Sequence, residues 1–536
     1  KDLGVTHVQL LPVMKYYFGD ELANEERELD YSSEGNNYNW GYDPHSYFSP
    51  SGMYSERPED PEARIAELKA LIDEIHKRDM GVVLDVVYNH TALVSIFEDL
   101  MPGYYHFMDE EGNPKTGYGG GKLGTTHEMT RKMMIDSITY WVDEFKVDGF
   151  RFDLMGDLDA ESVQIAYDEA KKLNPNLIML GEGWRTFVGD GNDENEVMPA
   201  DQDWMNHTDS ASVFSDEIRN ELKSGFGSEG EPRFLTGGAR DIETIFNNIK
   251  GQPGNFVADD PGDVVQYIAA HDNLTLHDVI AQSIKKDPAD HEEEIQERIR
   301  LGNAMIMTSQ GVSFLHAGQE YGRTKQWKGE GKPEAKETYM VDENGEPFEH
   351  PYFIHDSYDS TDAINMFDWS AVTEEGIQKE TMAYTSGLID LRKSTDAFRL
   401  GTKELVDENV QLLDAPEMKD TDLTIGYKNV STDKTGTYYV FVNADEKKRT
   451  LTLDEDLTKG QVLVDDDEAG VKKVSEPSGY ALTKNSIQLD PLTTVIVKVD
   501  SEKSFDKRHS GEDRYETAIE ISKEGWEQAD TVVITR

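Results

Sequence analysis

From residue 1 to about residue 394, short apolar runs alternate with segments of helical periodicity, and this alternation limits the fold more than any other feature. The runs are VTHVQLLPV (5–13), GVVLDVVYNH (81–90), VDGFRFDL (147–154), LIMLGEGW (177–184), VFSDEIRN (213–220), VVQYIAAHDN (264–273) and VSFLHAGQE (312–320). Asp60-Pro61 opens a helix as N-cap and first helical residue, and Ile65, Leu68, Ile72 and Ile75 follow at helical spacing. Met134, Ile138, Trp141 and Phe145 mark one face of a second helix. Strands that are apolar on both faces and joined by helices predict a parallel sheet covered on both sides. Polar groups gather at the C-terminal ends of the runs, as in a (β/α)8 barrel. Seven runs rather than eight predict an α/β fold over 1–394, a TIM barrel lacking its first strand.

The pattern changes near residue 395. LTIGYKN (423–429), GTYYVFVNA (436–444), KRTLTLD (448–454) and TTVIVKVD (493–500) alternate with period two, which predicts an antiparallel β-sandwich over 395–500. A polar linker (501–507) leads to a helix-then-strand unit over 508–536. The chain opens at Lys1 in mid-pattern and stops after a strand, as a fragment of a longer polypeptide does. It carries 53 Lys and Arg against 106 Asp and Glu, a formal net charge of −53. Such a polyanion excludes nucleic acid and anionic membrane surfaces as partners, and its main effect is on solubility. With no cysteine, disulfides, thiolate metal sites and cysteine nucleophiles are excluded. No apolar run reaches membrane-spanning length, and no signal peptide is visible.

Chemistry concentrates in VDGFRFDLMG (147–156), where alternation puts Arg151 and Asp153 on one face of a strand. A guanidinium beside a carboxylate keeps it ionised and oriented. Glu182 lies in GEGW at another strand end, and burial against Trp184 suits it to general acid work. Asp272 lies in AHDN at a third, beside His271. A barrel brings such strand ends to one face. A nucleophile and an acid/base about 5–5.5 Å apart give double displacement with retention, while a third carboxylate steadies positive charge on a sugar ring. Taken singly, each residue has a plainer reading. A strand-end Asp caps helices. Arg151 and Asp153 make a structural ion pair. His90 and His271 are hydrogen-bonded core histidines. The three carboxylates in order are more specific than any one. In YNWGYDP (38–44), Tyr38, Trp40 and Tyr42 suit stacking on pyranose faces. The alternative is a packed loop turned by Gly41 and Pro44.

DVVYNH (85–90), GFRFDLMG (149–156), GEGW (181–184) and AAHDN (269–273), in that order, resemble the four motifs of glycoside hydrolase family 13, the α-amylase superfamily. YNWGYDP, LGVTHVQLLPV (3–13) and HDNLTL (271–276) resemble the type I pullulanases within it. The resemblance spans residues 1 to about 400 and implies hydrolysis of α-1,6 branch links in pullulan, limit dextrins and related α-glucans. It implies Asp153 as nucleophile, Glu182 as general acid/base and Asp272 as transition-state stabiliser, with Arg151 orienting Asp153. Asp85, His90 and His271 would hold the sugar in the cleavage subsite, with Tyr42 stacked on its ring and Trp184 on the acceptor side. In this family VTHVQLLPV is the second barrel strand, so closed packing is expected to fail on one side. His277 stands where many relatives carry tryptophan, and no function is attached to it. RHSGEDRYETAIEIS…ADTVVITR (508–536) resembles the opening of a cell-wall-binding repeat 2, which implies a secreted enzyme held on a bacterial cell-wall polymer. No cofactor is required and no metal-ligand motif stands out; calcium, where bound, is expected to be structural. Two other functions stay open: an α-1,4-acting neopullulanase or amylopullulanase, because loops set bond choice, and a non-catalytic glycan-binding surface protein.

Overall fold

The computed structural model describes residues 1–191, 197–501 and 531–535. Seven strands follow one another in parallel: β1 (His7–Leu10), β2 (Gly81–Val86), β3 (Gly149–Phe152), β4 (Ile178–Gly181), β5 (Ala211–Phe214), β6 (Val264–Gln266) and β7 (Val312–His316). The runs are apolar throughout because both strand faces are buried. In β2, Val82, Leu84 and Val86 pack outward on the helices with Ile138 and Trp141. Val83 points the other way, into the barrel with Leu180, Phe214 and Phe314.

Two expectations are corrected. The strand expected over 213–220 ends at Phe214, and Asp216–Leu222 is a helix. Asp216 and Glu217 occupy its first turn, where carboxylates meet the positive helix end, and Ile218 and Leu222 are buried four apart. The open side of the barrel is closed as well. The backbone of β8 (Thr531–Thr535) pairs in parallel with both β7 and β1, in the place expected for the absent strand. Apart from β8, the wall-binding unit expected over 508–536 lies outside the described residues.

The helices begin where their signals stand. Asp60 accepts from the Glu62 and Ala63 amides ahead of the helix Pro61–His76. In the helix Glu128–Phe145, Met134, Ile138, Trp141 and Phe145 are all buried. That helix stops at Lys146, which takes the left-handed conformation at φ 59°.

Beyond the barrel, five antiparallel strands lie in the order 410–412, 424–430, 437–443, 493–499, 461–464. A second antiparallel sheet has the order 449–452, 486–489, 480–482. Phe441, Leu451, Ile487, Leu489 and Val495 share the core between them, as the period-two pattern predicts. Tyr427 and Thr308 join sandwich to barrel through their hydroxyls at 2.6 Å. Arg392, fully buried, donates to the carbonyls of Met307, Ser309 and Gly311 on the barrel.

Candidate active site

The C-terminal ends of β2, β3 and β4 carry the expected carboxylates side by side. Asp85 and Arg151 are register partners in neighbouring strands, so their side chains meet directly. Arg151 Nη1 donates to Asp85 Oδ1 at 3.0 Å and to Asp153 Oδ1 at 3.4 Å, and Arg151 Nη2 lies 3.3 Å from Glu182 Oε2. One buried guanidinium thus joins three carboxyls from three strands. Asn89 Nδ2 donates to Asp153 Oδ2 at 2.8 Å, and the Leu154 amide donates to Glu182 Oε2 at 2.9 Å. Leu154 holds φ 41°, a left-handed conformation that a leucine seldom adopts.

Asp272 approaches from beyond β6, with His271 Nε2 3.6 Å from its Oδ2. Burial deep in the cleft, followed by the neighbouring Glu182 charge, pushes the Asp272 carboxyl up to about 7. Nearly half of this side chain (46 %) still meets solvent in the cleft, which tempers that shift. Asp153 is raised well above the usual carboxylate range by burial and by Glu182, with Arg151 opposing. Burial raises Asp85 to about 6 against the pull of Arg151 and Tyr42. Burial thus raises Asp85, Asp153 and Asp272 together, and the Arg151 charge opposes the rise at each of the three.

The aromatic segment divides. Tyr42 Oη donates to Asp85 Oδ2 at 2.6 Å, and its ring stacks on His271 with centroids 5.1 Å apart. Tyr42 keeps part of its surface open, whereas Tyr38 and Trp40 are buried as the packed-loop reading had it. Trp40 meets His271 edge-on at 4.8 Å. His271 is neutral, since burial drives its pKa well below the usual value, and among the described residues its Nδ1 has no hydrogen-bond partner. His90 turns both ring nitrogens to the protein, Nδ1 to Asn89 Oδ1 at 2.5 Å and Nε2 to the Tyr42 carbonyl at 2.7 Å. Trp184 is half-buried, with the Arg219 guanidinium 5.7 Å above its ring. Gly156 lets the Trp184 backbone approach, because a Cβ there would lie 1.7 Å from the Trp184 carbonyl oxygen.

All nine expected residues, Tyr42, Asp85, His90, Arg151, Asp153, Glu182, Trp184, His271 and Asp272, belong to this one cleft or its immediate support. Sequence reasoning missed Asn89, although it stands inside DVVYNH next to His90. It also missed the Leu154 amide, for which a leucine carries no signal.

The family model described as "Alpha amylase, catalytic domain" matches residues 118–401, over half of the chain, and one described as "SpuA C-terminal" matches 409–500. Pullulanase A of Streptococcus pneumoniae is 55% identical over 518 residues, 93% of this chain and 41% of that protein. Pullulanase of Bacillus subtilis is 33% identical over 424 residues, 78% of this chain and 53% of that protein. The chain therefore spans about two fifths to one half of the length of these curated relatives. Among solved structures, the catalytic module of the multi-modular glycogen-degrading pneumococcal virulence factor SpuA superposes with a TM-score of 0.91 at 55% identity, over 93% of this chain and 73% of that one. The Group B Streptococcus pullulanase SAP superposes with a TM-score of 0.89 at 56% identity, over 93% of this chain and 65% of that one. With these matches added to the four strand-end motifs, the chain belongs to the alpha-amylase catalytic-domain family, in its type I pullulanase group.

Proposed function

We propose that this chain carries a retaining glycoside hydrolase that cleaves α-1,6 branch links in pullulan, limit dextrins and related α-glucans. The observation that carries this reading is the shared guanidinium of Arg151, which reaches Asp85, Asp153 and Glu182 at once. Two carboxyls held by one guanidinium favour the close spacing of a nucleophile and its acid/base over the wider gap that an inverting pair leaves for water. In the first step Glu182 gives its proton to the glycosidic oxygen while Asp153 attacks the anomeric carbon. The C–O bond to the leaving chain breaks and a glycosyl–Asp153 ester forms. In the second step Glu182 takes a proton from water, which attacks the same carbon and releases Asp153.

Asp272 steadies the positive charge that develops on the ring, and the neutral His271, its Nε2 turned toward Asp272, supports the cleavage subsite. Tyr42 lends an apolar face to the ring, and His90 holds the Tyr42 backbone. The chemistry runs on carboxyl groups without a cofactor. The α-1,6 preference draws support from the pullulanase relatives, and SAP has been solved in complex with maltotetraose. Set against a purely glycan-binding protein, carboxyls clustered around one guanidinium are costly to bury and more than gripping a neutral sugar requires. We further propose that the parent protein is secreted and held on the cell wall through residues 508–536, on the strength of the sequence resemblance there. No helix among the described residues is long and apolar enough to cross a membrane.

The deciding experiment is product analysis on pullulan with the chain and its Asp153→Asn variant. Maltotriose from the parent alone is the expected result. Panose or isopanose would replace this reading with α-1,4 cleavage, and no product from a folded parent would favour the binding protein.

A further inference from the structure

Asp272 is the exposed member of the carboxyl cluster, and no strand holds it, since β6 ends six residues earlier at Gln266. What fixes it is the next peptide. Asn273 sits in the left-handed region at φ 62°, and its amide donates to Asp356 Oδ1 at 2.7 Å. Its carbonyl accepts from Lys325 Nζ at 2.8 Å. The same ammonium donates to the His355 carbonyl and lies 3.4 Å from Ser357 Oγ. Three ammonium protons therefore meet three oxygens from two other segments, and among the described residues no carboxylate is hydrogen-bonded to this buried lysine. Burial lowers Lys325 to about 7, yet even a neutral amine keeps two protons for the two carbonyls.

The lysine is itself held in place. Its backbone amide donates to Asp278 Oδ2 at 2.8 Å, and Thr324 Oγ1 donates to Asp278 Oδ1 at 2.5 Å. Asp278 is fully buried and meets His277 Nδ1 at 2.9 Å, while His277 Nε2 meets Glu292 at 2.8 Å. Flanked by two carboxylates, His277 is pushed up to about 10 and stays charged. His277 thus closes a run of charge-assisted bonds that ends on the peptide beside Asp272.

We propose that Lys325 is a positioning residue for Asp272, holding the Asn273 turn so that the Asp272 carboxylate stands over the reacting sugar. This rests on the hydrolase reading above. A group that acts only through Asp272 loses its effect once Asp272 no longer works. The test is therefore a double-mutant cycle of Lys325→Met and Asp272→Asn in the full chain, read as turnover of α-maltosyl fluoride. Any retaining enzyme built on these three carboxylates turns over that donor whichever glucan bond it prefers. A wrong bond assignment, judged on pullulan, is thus separable from a wrong role for Lys325.

The expected result is a loss of about 100-fold in kcat for Lys325→Met with KM within about threefold, since an ångström-scale misplacement costs that much. In the Asp272→Asn background the same change should cost less than about threefold. Full multiplication of the two losses, or a folded Lys325→Met enzyme within about twofold of the parent, overturns the proposal. If Lys325→Met fails to fold by circular dichroism, Lys325→Arg is carried through the same cycle and judged by the same coupling. A parent that turns over neither substrate overturns both readings.

Discussion

Asp272 shows how the site sets stability against activity. Its carboxyl is raised to about 7 in the fold, from about 3.9 in an unfolded chain. The folded protein therefore binds a proton more tightly than the unfolded one. Its stability from this group is fully present below about pH 4 and is lost as pH rises through about 7. Asparagine carries no charge to lose, so Asp272→Asn should melt close to the parent at pH 4 and above it at pH 8, while its hydrolytic rate collapses. Thermal melts at both pH values check this, and an equal difference at the two would show that burial does not strain the carboxyl. At this scale the site was largely legible. Arg151 and Asp153 could be placed on one face by counting, and register then puts Asp85 opposite Arg151. The left-handed turn at Leu154 was not legible, because a leucine carries no sign of positive φ and the amide it aims at Glu182 belongs to the backbone.

Elements were legible where a terminal signal and periodicity agreed. Asp60-Pro61 fixed one helix start, and four apolar residues fixed the buried face of the helix Glu128–Phe145. VFSDEIRN misled because its apolar opening continues a strand, while Ile218 and Leu222 already carry helical spacing beyond it. The strands also end earlier than the apolar runs, since residues past the barrel rim stay buried in loops that build the cleft. Helix ends offer a test. Lys146 closes its helix at φ 59°, a conformation that costs a lysine roughly 1–2 kcal/mol and a glycine almost nothing. Among the described residues its side chain makes only an exposed contact with Asp143 at 3.4 Å. Lys146→Gly should therefore stabilise the chain by about 0.5–1 kcal/mol after the unfolded-state entropy of glycine is deducted, read as a higher urea midpoint at unchanged slope. A lower midpoint would mean that the left-handed turn is not strained.

For the whole molecule, the sandwich was legible from period-two strands, but its docking was not. Tyr427 meeting Thr308 joins residues 119 positions apart, beyond any local pattern. The charge of −53 acts at this scale too. It cannot steer a neutral glucan, so it should leave kcat/KM on pullulan within about twofold between low salt and 1 M sodium chloride. Self-repulsion, however, opposes the compact state and is screened over about 10 Å at 0.1 M salt and about 3 Å at 1 M. The melting temperature should therefore climb across the same range. The two responses separate the roles of the acidic residues. Asp85, Asp153 and Glu182 lie largely out of solvent against Arg151, so salt barely reaches them, while those on the surface repel one another and are screened. Activity that falls steeply with salt would instead place an electrostatic step on the path to the bound substrate, and a flat melting temperature would mean that surface repulsion is already balanced by the ion pairs of the fold.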